Sequence, residues 1–565
     1  GEHLLLIDEL YSLSLEYFIF VSYRKMKNQM DTNDRRNGLC QNKTLELLGI
    51  HYIMMDFFFS ILIAFMTFLR FLTHPIYVWF AQGKKKSVPP ITNDILRINA
   101  TELAAKIRKK QLSSVEICQA YIDRIKQVNP IINAVVEDRF QQALKEAKTV
   151  DDYLTKCALS EEDLEKIKPL LGVPVTIKES CSLQGLSYAV GMLNRCGYKA
   201  ESDGEAVARL KTSGAIPLLV SNTPEMCCCL ESSNFITGYT NNPYDTTCTS
   251  GGSSGGEGAL LGAGASVIGI GSDIAGSIRI PALYNGIFGH KPTARIVSLK
   301  GHFPYCYDEK FKSCLVIGPM SRYAKDLKLM LKILVGDKQA TQLKLNQKVD
   351  LNKINVFFME GTDSILETRV QSEIKAAVQD AVKYLSSQCG VKVKDHKFEL
   401  KYTLNCCGKH IFNIKDLPDP LKGENDNIFT EIIKTLFGQS RYTPNLLHYL
   451  LVNKIYDLFV SDRTMEFAQL KKTFIDSLGD NGVFIYPSAY TTAGKHNQFY
   501  FLTTTAAYTI LANTFGCPST SVPCGLDKNG LPVGIQIMAA PNQDRLCLAV
   551  AEELEKHFGG WVPPK

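Results

Sequence analysis

No two cysteines stand in C-x-x-C spacing and no His-Glu-x-x-His occurs, so the chain lacks the common frameworks of a zinc site. No glycine-rich run closes on Gly-Lys-Ser or Gly-Lys-Thr, which argues against a phosphate-binding loop. Charge of one sign is scarce as well. The 63 Lys and Arg against 57 Asp and Glu leave a formal net charge of +6, and the lysines are scattered rather than striped. Nucleic acid is therefore not an implied partner. No internal repeat is present. With 45% hydrophobic and 21% charged residues, the composition is that of a globular protein, not a disordered one. The 565 residues exceed one typical domain, but a single large α/β core can absorb most of them.

Cysteine is plentiful, yet its pattern is not that of a disulfide framework. The 17 are odd in number, with a run at Cys227–Cys229 and a pair at Cys406–Cys407 that would be awkward to bridge. They read as reduced, mostly buried, small apolar side chains. Two triplets, Asn42-Lys-Thr44 and Asn99-Ala-Thr101, have the glycosylation pattern, which matters only where those regions are lumenal.

The first ninety residues differ from the rest. Phe57 to Leu69 is apolar except for Ser60 and Thr67, and after Arg70 the apolar character resumes to Phe80, long enough to span a bilayer. A central arginine costs about 2.5–3.5 kcal/mol on insertion scales, while each Phe, Leu or Ile returns about 0.3–0.6 kcal/mol. The phenylalanines thus offset Arg70, and Tyr77, Trp79 and Lys84–Lys86 resemble an interfacial belt with a charged stop. The pattern predicts an N-terminal transmembrane or interfacial helix; the competing reading is a buried core helix. A cleavable signal peptide fits poorly, because the run lies far from residue 1 and lacks a small-residue cleavage site. Residue 1 is Gly, and Met54 or Met55 would be a natural start. The expected division is an extension over 1–53 that such a start would leave out, an anchor over 54–82 and a catalytic domain over 90–565.

From Val88 onward helix and strand patterns alternate. Ser113-Ser-Val-Glu116 is a capping box, followed by Val115, Cys118, Ile122 and Ile125 at helical spacing. Gly172 to Ile177 is a short β-rich run that delivers Lys178, and Ala215 to Val220, Ser266 to Ile270, Val483 to Tyr486 and Gly534 to Met538 are further strand candidates. Helices between strands predict an α/β fold with a largely parallel sheet covered on both faces.

The chemistry concentrates between Thr249 and Pro281. The run Thr-Ser-Gly251-Gly-Ser253-Ser254-Gly-Gly-Glu-Gly258 is not expected inside a helix. A flexible linker would not be followed at once by a tight apolar strand, yet here Ala265-Ser-Val-Ile-Gly-Ile-Gly-Ser-Asp273-Ile-Ala-Gly-Ser277-Ile-Arg-Ile-Pro281 comes next.

These two motifs, with the upstream Val-Thr-Ile-Lys178, resemble the amidase signature family, and Asn285-Gly-Ile-Phe-Gly-His-Lys-Pro292 fits as well. The resemblance covers roughly residues 95 to 563. It implies that family's fold, a central mixed, twisted β-sheet of many strands covered by helices. It also implies a serine hydrolase that cleaves amide bonds through Ser277, with Ser253 as relay after a cis peptide bond and Lys178 as base. Lys178 and Ser253 lie 75 positions apart, and Ser253 and Ser277 lie 24 apart, as in the family.

The residue types suit that chemistry. A serine hydroxyl is a weak nucleophile until a base takes its proton, and none of the ten histidines stands in a nucleophile context. A lysine can be that base only when neutral, which burial favours by lowering its pKa. Ser253 can pass the proton, since a hydroxyl both donates and accepts. Ser254 is expected as a supporting hydrogen-bonding residue. The backbone N–H groups of Ile274, Ala275, Gly276 and Ser277 are the candidate oxyanion hole. Ala275 stands where the family commonly has glycine; a positive φ there would strain the methyl group by roughly 1–2 kcal/mol. Asp273 and Arg279 are candidates for fixing the loop, or equally for a structural ion pair.

No cofactor and no metal is implied. The anchor and the resemblance together point to fatty-acid amides, N-acyl amines or primary amides, as substrates. The partners expected are thus a lipid amide and a membrane, that of the endoplasmic reticulum or a lipid droplet, with a homodimer as a candidate assembly. Ile428, Phe429, Ile432, Ile433, Leu436 and Phe437 form an apolar stripe at helical spacing, and Leu446, Leu447, Leu450 and Leu451 form another. Core packing is the commoner meaning of such stripes; a membrane-facing opening for an acyl chain is the sharper one. Two alternatives stay open: an amidase for small soluble amides, and a catalytically silent membrane-anchored binding protein.

Overall fold

The apolar runs foreseen as strands are short and unbroken because both of their faces are covered. In a computed structural model, Pro174–Lys178, Ile216–Ser221, Ile268–Asp273, Gly482–Pro487 and Pro532–Ala539 are strands, and every one of their residues is buried. The structure describes residues 84–565 except 363–368, 396–397, 401–402, 422–425, 461–462 and 499–504, and before Lys84 only Ile61, Phe65, Thr73, Pro75 and Trp79. The extension over 1–53 and nearly all of the anchor segment therefore lie outside the described residues. Among the described residues no helix is long and apolar enough to cross a membrane.

In chain order the strands are β1 (Val135–Asp138), β2 (Pro174–Lys178), β3 (Ile216–Ser221), β4 (Ser233–Asn234), β5 (Gly238–Tyr239), β6 (Ile268–Asp273) and β7 (Phe288–Lys291). Then follow β8 (Val316–Ser321), β9 (Asn355–Phe358), β10 (Lys392–Val393), β11 (Gly482–Pro487), β12 (Ser519–Leu526) and β13 (Pro532–Ala539). Eleven of them form one sheet in the order β1-β3-β2-β6-β8-β7-β12-β13-β11-β9-β10, and β4 pairs with β5 apart from it.

The expectation of a largely parallel sheet is corrected. β2 runs parallel to β3 and β6, and β9 parallel to β10 and β11, but the remaining six pairings are antiparallel. One pairing is enforced by a short link: between β12 and β13 the chain turns at once around Asp527, whose Oδ1 accepts the N–H of Asn529 and Leu531. So short a connection can join only antiparallel neighbours. The mixed sheet implied by the family resemblance is the one observed.

The capping box holds. Ser113 accepts the N–H of Glu116 and opens the helix Ser114–Ile132, which buries Cys118, Ile122 and Ile125. Asn99, within the second glycosylation triplet, instead caps the helix Ala100–Arg108 by accepting the N–H of Glu102, and Thr101 donates to Asp326. All sixteen described cysteines are free, nine of them buried and only Cys196 exposed.

A second correction concerns the glycine run. Gly255–Gly262 is a helix, fully buried, although four of its eight residues are glycine. Propensity yields here to close packing. A Cβ on Gly256 would stand 2.5 Å from the backbone nitrogen of Asn222 and 2.6 Å from its oxygen, and one on Gly258 would stand 2.5 Å from Asn285 Nδ2. Only glycine at position 256 lets the helix lie this near the segment leaving β3. Gly256→Ala should therefore lower the unfolding free energy by about 1–3 kcal/mol through overpacking. A clear drop in the thermal midpoint would be the readout, and an unchanged midpoint would count against the close-approach account.

Candidate active site

β2 and β6 are parallel neighbours, with Thr176 opposite Gly269 and Ile177 opposite Ile270, so their carboxyl ends emerge side by side. Binding crevices in α/β sheets form at such ends. Lys178 is the last residue of β2, and Asp273 the last of β6. The chain then runs through Ile274–Ile278, carrying Ser277, into the short helix Arg279–Tyr284. Ser253 and Ser254 immediately precede the helix Gly255–Gly262.

Lys178 is wholly buried, and its Nζ donates to Ser253 Oγ at 2.7 Å and to Ser272 Oγ at 3.0 Å. Burial lowers its pKa, partly opposed by Cys227, Cys181, Asp273 and Glu257 in its surroundings. Ser272, within the Gly-Ser-Asp part of the motif, is a lysine partner that the sequence reading missed. The Gly252–Ser253 peptide is cis, as the resemblance implied. Ser254 acts as a tie. Its Oγ donates to the Ser272 carbonyl at 3.3 Å, and its N–H donates to the Ser277 carbonyl at 3.1 Å. It thereby joins the serine loop to the end of β6 and to the loop of Ser277.

Ser277 is 6% exposed, and its hydroxyl hydrogen-bonds to no other described residue. The Lys178–Ser253 link is therefore formed in this structure, while the Ser253–Ser277 link is not. Catalytic hydrogen bonds often tighten only when substrate is bound.

The loop itself is held by a buried ion pair. Arg279 Nε and Nη2 meet Asp273 Oδ2 and Oδ1 at 3.0 and 3.1 Å, both side chains being inaccessible. The guanidinium also donates to Gln536 Oε1, Asn513 Oδ1 and the Thr509 carbonyl. Burial alone would raise the Asp273 pKa, but Arg279, Lys291 and Asn513 outweigh it and hold the carboxyl down at about 2. Asp273 further accepts the N–H of Gly276 at 2.6 Å and of Ile278 at 3.1 Å. Both readings of Asp273 and Arg279 thus hold together: they are an ion pair, and the ion pair shapes the loop.

Two points about the oxyanion donors follow. The N–H of Gly276 is already given to Asp273, whereas those of Ile274, Ala275 and Ser277 have no partner among the described residues. The positive φ of the loop, 123°, falls on Gly276 and not on Ala275, so the methyl group of Ala275 carries no left-handed strain. A Cβ at Gly276 would also lie 2.3 Å from Thr509 Oγ1, so this position requires glycine. Thr509 and Asn513, both on the helix Ala506–Phe515, come from over two hundred residues away and had no motif to reveal them.

Another group missed in the sequence is His302. It is buried, its Nδ1 contacts the Pro304 carbonyl at 2.9 Å, and its Nε2 finds no hydrogen-bond partner. Burial and the charge of Lys178 press its pKa down to about 3. It stays neutral at working pH.

The two apolar stripes part company. Ile428, Leu446 and Leu447 are buried with Met192, Met226, Leu421 and Tyr442, and Ile432, Leu450 and Leu451 pack against them. For these residues core packing is correct. Phe429, Ile433, Leu436 and Phe437 instead remain 61%, 57%, 79% and 72% exposed.

Asp273→Asn should cost about 3–5 kcal/mol, because it leaves the Arg279 charge buried without its partner. The Asp273 pKa is depressed, so its stabilisation is present above about pH 4 and is lost as pH falls toward 2. The variant's thermal midpoint should be lowered at pH 7 and should approach that of the wild type in acid. Equal midpoints at pH 7 would refute the account.

Comparison with known proteins agrees with this geometry. The Amidase family profile matches residues 116–548. The chain is 44% identical over 493 residues to fatty-acid amide hydrolase 2-A of Danio rerio, covering 84% of this chain and 92% of that one. It is 41% identical over 496 residues to fatty-acid amide hydrolase 2 of Homo sapiens, covering 85% and 92%. Among solved structures, a fatty acid amide hydrolase superposes with a TM-score of 0.64 at 24% identity, over 83% of this chain and 86% of that one. A 6-aminohexanoate cyclic dimer hydrolase superposes at 0.65 with 24% identity, over 84% and 99%. With its family match over more than half its length and this identity to its relatives, the chain belongs to the amidase signature family of serine hydrolases.

Proposed function

We propose that this protein hydrolyses fatty-acid amides, with Ser277 as nucleophile, Ser253 as proton relay and Lys178 as base. The observation that carries the reading is the 2.7 Å hydrogen bond from a fully buried Lys178 to Ser253, at a position where burial favours the neutral amine. Ser277 Oγ attacks the amide carbonyl while its proton passes to Ser253 and the Ser253 proton passes to Lys178. The N–H groups of Ile274, Ala275 and Ser277 receive the oxyanion, each such donor being worth about 3–4 kcal/mol in the transition state. The proton then returns by the same path to the departing nitrogen, the C–N bond breaks, and water hydrolyses the acyl-enzyme. Ser254, Asp273 and Arg279 position the loop and take no part in the proton path.

The lipid character of the substrate is supported by the relatives' names and by an apolar surface. Phe429, Ile433, Leu436 and Phe437 recur along one side of the helix Ile428–Leu436 and its end, while Ile428 and Glu431 on the other side are buried. Contiguous exposed apolar groups of this size mark an interaction surface, and an amphipathic helix of this kind suits a bilayer interface. Ile428 and Ile432 of this helix share an apolar cluster with Met226 and Cys228, and Cys227 between those two acts on Lys178 through its charge. Within this reading 54–82 is the anchor, spanning or interfacial, 90–565 is the catalytic domain, and assembly as a homodimer is compatible with both.

Ser277→Ala should abolish amide hydrolysis and labelling by a serine-directed fluorophosphonate together. Stoichiometric labelling of that variant would sink the nucleophile assignment, and an unlabelled wild type would favour a silent binding protein. Ser253→Ala should slow turnover by roughly 10²–10⁴-fold, and near-normal turnover would move the relay elsewhere. Lys178→Ala should penalise amides more than matched esters, since a departing amine needs its proton more than an alkoxide does. In the wild type kcat/KM should rise with pH as Lys178 loses its proton, and this limb should vanish in Lys178→Ala.

Leu436→Glu with Phe437→Glu should reduce binding to phosphatidylcholine vesicles and turnover of bilayer-dispersed long-chain amides. Hydrolysis of a soluble short-chain amide should be unaffected. Unchanged vesicle binding would reject the membrane-facing surface, and equal turnover of long- and short-chain amides by the wild type would favour the small-amide alternative.

A further inference from the structure

Three short oxygen–oxygen contacts run in line beneath the site. Glu257 Oε2 meets Thr176 Oγ1 at 2.7 Å, Thr176 Oγ1 meets Ser266 Oγ at 3.0 Å, and Ser266 Oγ meets the Ile268 carbonyl oxygen at 2.8 Å. Each contact requires a proton between its oxygens, and the two hydroxyls supply only two. The carbonyl supplies none. The third proton must come from Glu257: Ser266 donates to Ile268, Thr176 donates to Ser266, and the carboxylic acid donates to Thr176.

The rest of the environment agrees with a protonated acid. Glu257 is fully buried, and its Oε1 accepts no hydrogen bond. An unsolvated anionic oxygen is far costlier than the carbonyl oxygen of a neutral acid. Burial pushes the carboxyl up to about 7.

Its place in the fold links it to the base. Glu257 follows Ser253 by four positions on the helix Gly255–Gly262. Thr176 and Lys178 are two residues apart on β2 and so point to the same face of the sheet. Ser221, in register with Lys178 on the neighbouring strand, lies by the Glu257 carboxyl and, like Thr176, offsets part of the rise that burial causes. The elements packed on this helix bring Lys178 from β2, Asp273 from β6, Arg279 and Tyr284 from the helix Arg279–Tyr284, and Arg124 from the helix Ser114–Ile132; β8 brings no titratable group. Of these charges, Lys178 is the one that acts on Glu257.

We propose that Glu257 is a positioning residue held as a neutral carboxylic acid beneath Lys178. It donates a hydrogen bond that ties the helix following Ser253 and Ser254 to β2, and while it holds its proton it adds none of the negative charge that would otherwise favour the ammonium form of the lysine. The inference rests on Lys178 being the base.

The test uses Glu257→Gln and Glu257→Ala in the full chain. Glutamine also donates to Thr176 and is uncharged, so kcat/KM for an amide at pH 7 should stay within about threefold of wild type, and the midpoint of its acid limb within about 0.3 pH unit. Alanine provides no donor and should lose about tenfold or more. Equal activity of the two variants would overturn the bridging role. A midpoint lowered by about one unit or more in Glu257→Gln would mean that a carboxylate charge had been removed, and would overturn the neutral acid.

Stability gives a readout independent of turnover. The folded carboxyl keeps its proton to about pH 7, while the unfolded chain releases it near pH 4.5. The wild type should therefore lose thermal stability relative to Glu257→Gln as pH rises between those values, with no further change above. A difference that stays flat across this window would overturn the protonated Glu257 whatever the role of Lys178, and the comparison with Glu257→Ala serves equally if the glutamine variant fails to fold. Survival of the wild-type acid limb in Lys178→Ala would sink the base reading alone.

Discussion

Burying an ammonium ion costs several kcal/mol unless a carboxylate lies against it, and among the described residues the buried Lys178 amine has only the hydroxyls of Ser253 and Ser272 as hydrogen-bond partners. Much of the surrounding structure serves that condition. The hydroxyls accept from an amine and from an ammonium alike, so they do not fix the charge state. An ion-paired lysine in the same place would be a strut. Without the pair, the nitrogen can be a base at moderate pH, and the proton it gains has an immediate neighbour to pass through.

Holding that condition requires the serines to approach the sheet closely, and the glycines make this possible. The residues beside Ser253 and Ser254 have no side chains because their space is already filled: a Cβ on Gly252 would lie 2.6 Å from the Cys229 oxygen, and one on Gly255 would lie 2.6 Å from Ser250 Oγ and closer still to Ser232 Oγ. The helix that follows is poor by propensity and entirely buried, so its stability comes from packing rather than from its own turns. The same economy of space operates at Gly276, whose positive φ turns the loop back so that Asp273 can accept its N–H.

The reading of the sequence was most secure where pattern and chemistry coincide. The strands delivering Lys178 and Asp273, the capping box at Ser113 and the paired serine motifs are local signals, and the structure has each within a few residues of its expected place. The string Gly251-Gly-Ser253-Ser-Gly255 also has the Gly-x-Ser-x-Gly spacing of a nucleophile elbow, so spacing alone does not distinguish Ser253 from a nucleophile. The hydrogen bond from Lys178 fits a base beside Ser253 in either role, so the proposed division of roles between Ser253 and Ser277 rests on the family resemblance. What could not be read was long-range. Thr509, Asn513 and Gln536 support Arg279 from more than 200 residues away, and nothing in their own segments marks them. Strand direction is long-range for a similar reason: alternation of helix and strand suggests crossover connections, whereas most antiparallel neighbours in this sheet are brought together from distant segments. The apolar stripes were ambiguous because periodicity gives a face and not its neighbour. Leu447 found a core, and Leu436 did not.

The two sides of the site are electrostatically opposite, and this division is what allows one loop to hold both a rigid frame and a reactive centre. On the Asp273 side a full ion pair is buried and saturated: the carboxylate accepts from Arg279, Asn513, Gly276 and Ile278, so neither its charge nor its geometry responds to a proton moving nearby. On the Lys178 side the partners are hydroxyls, a neutral His302 and the Glu257 chain, none of which demands that the amine be charged. Ser277 follows Asp273 by four positions and is joined by the backbone to the charged frame. Were the frame uncharged, the N–H groups of Gly276 and Ile278 would lose the acceptor that orients the turn. The Gly-Ser-Asp-Ile-Ala-Gly-Ser277 motif thus serves both sides at once: its Asp273 is the carboxylate of the buried ion pair, and its Ser272 is a hydroxyl acceptor for the buried lysine.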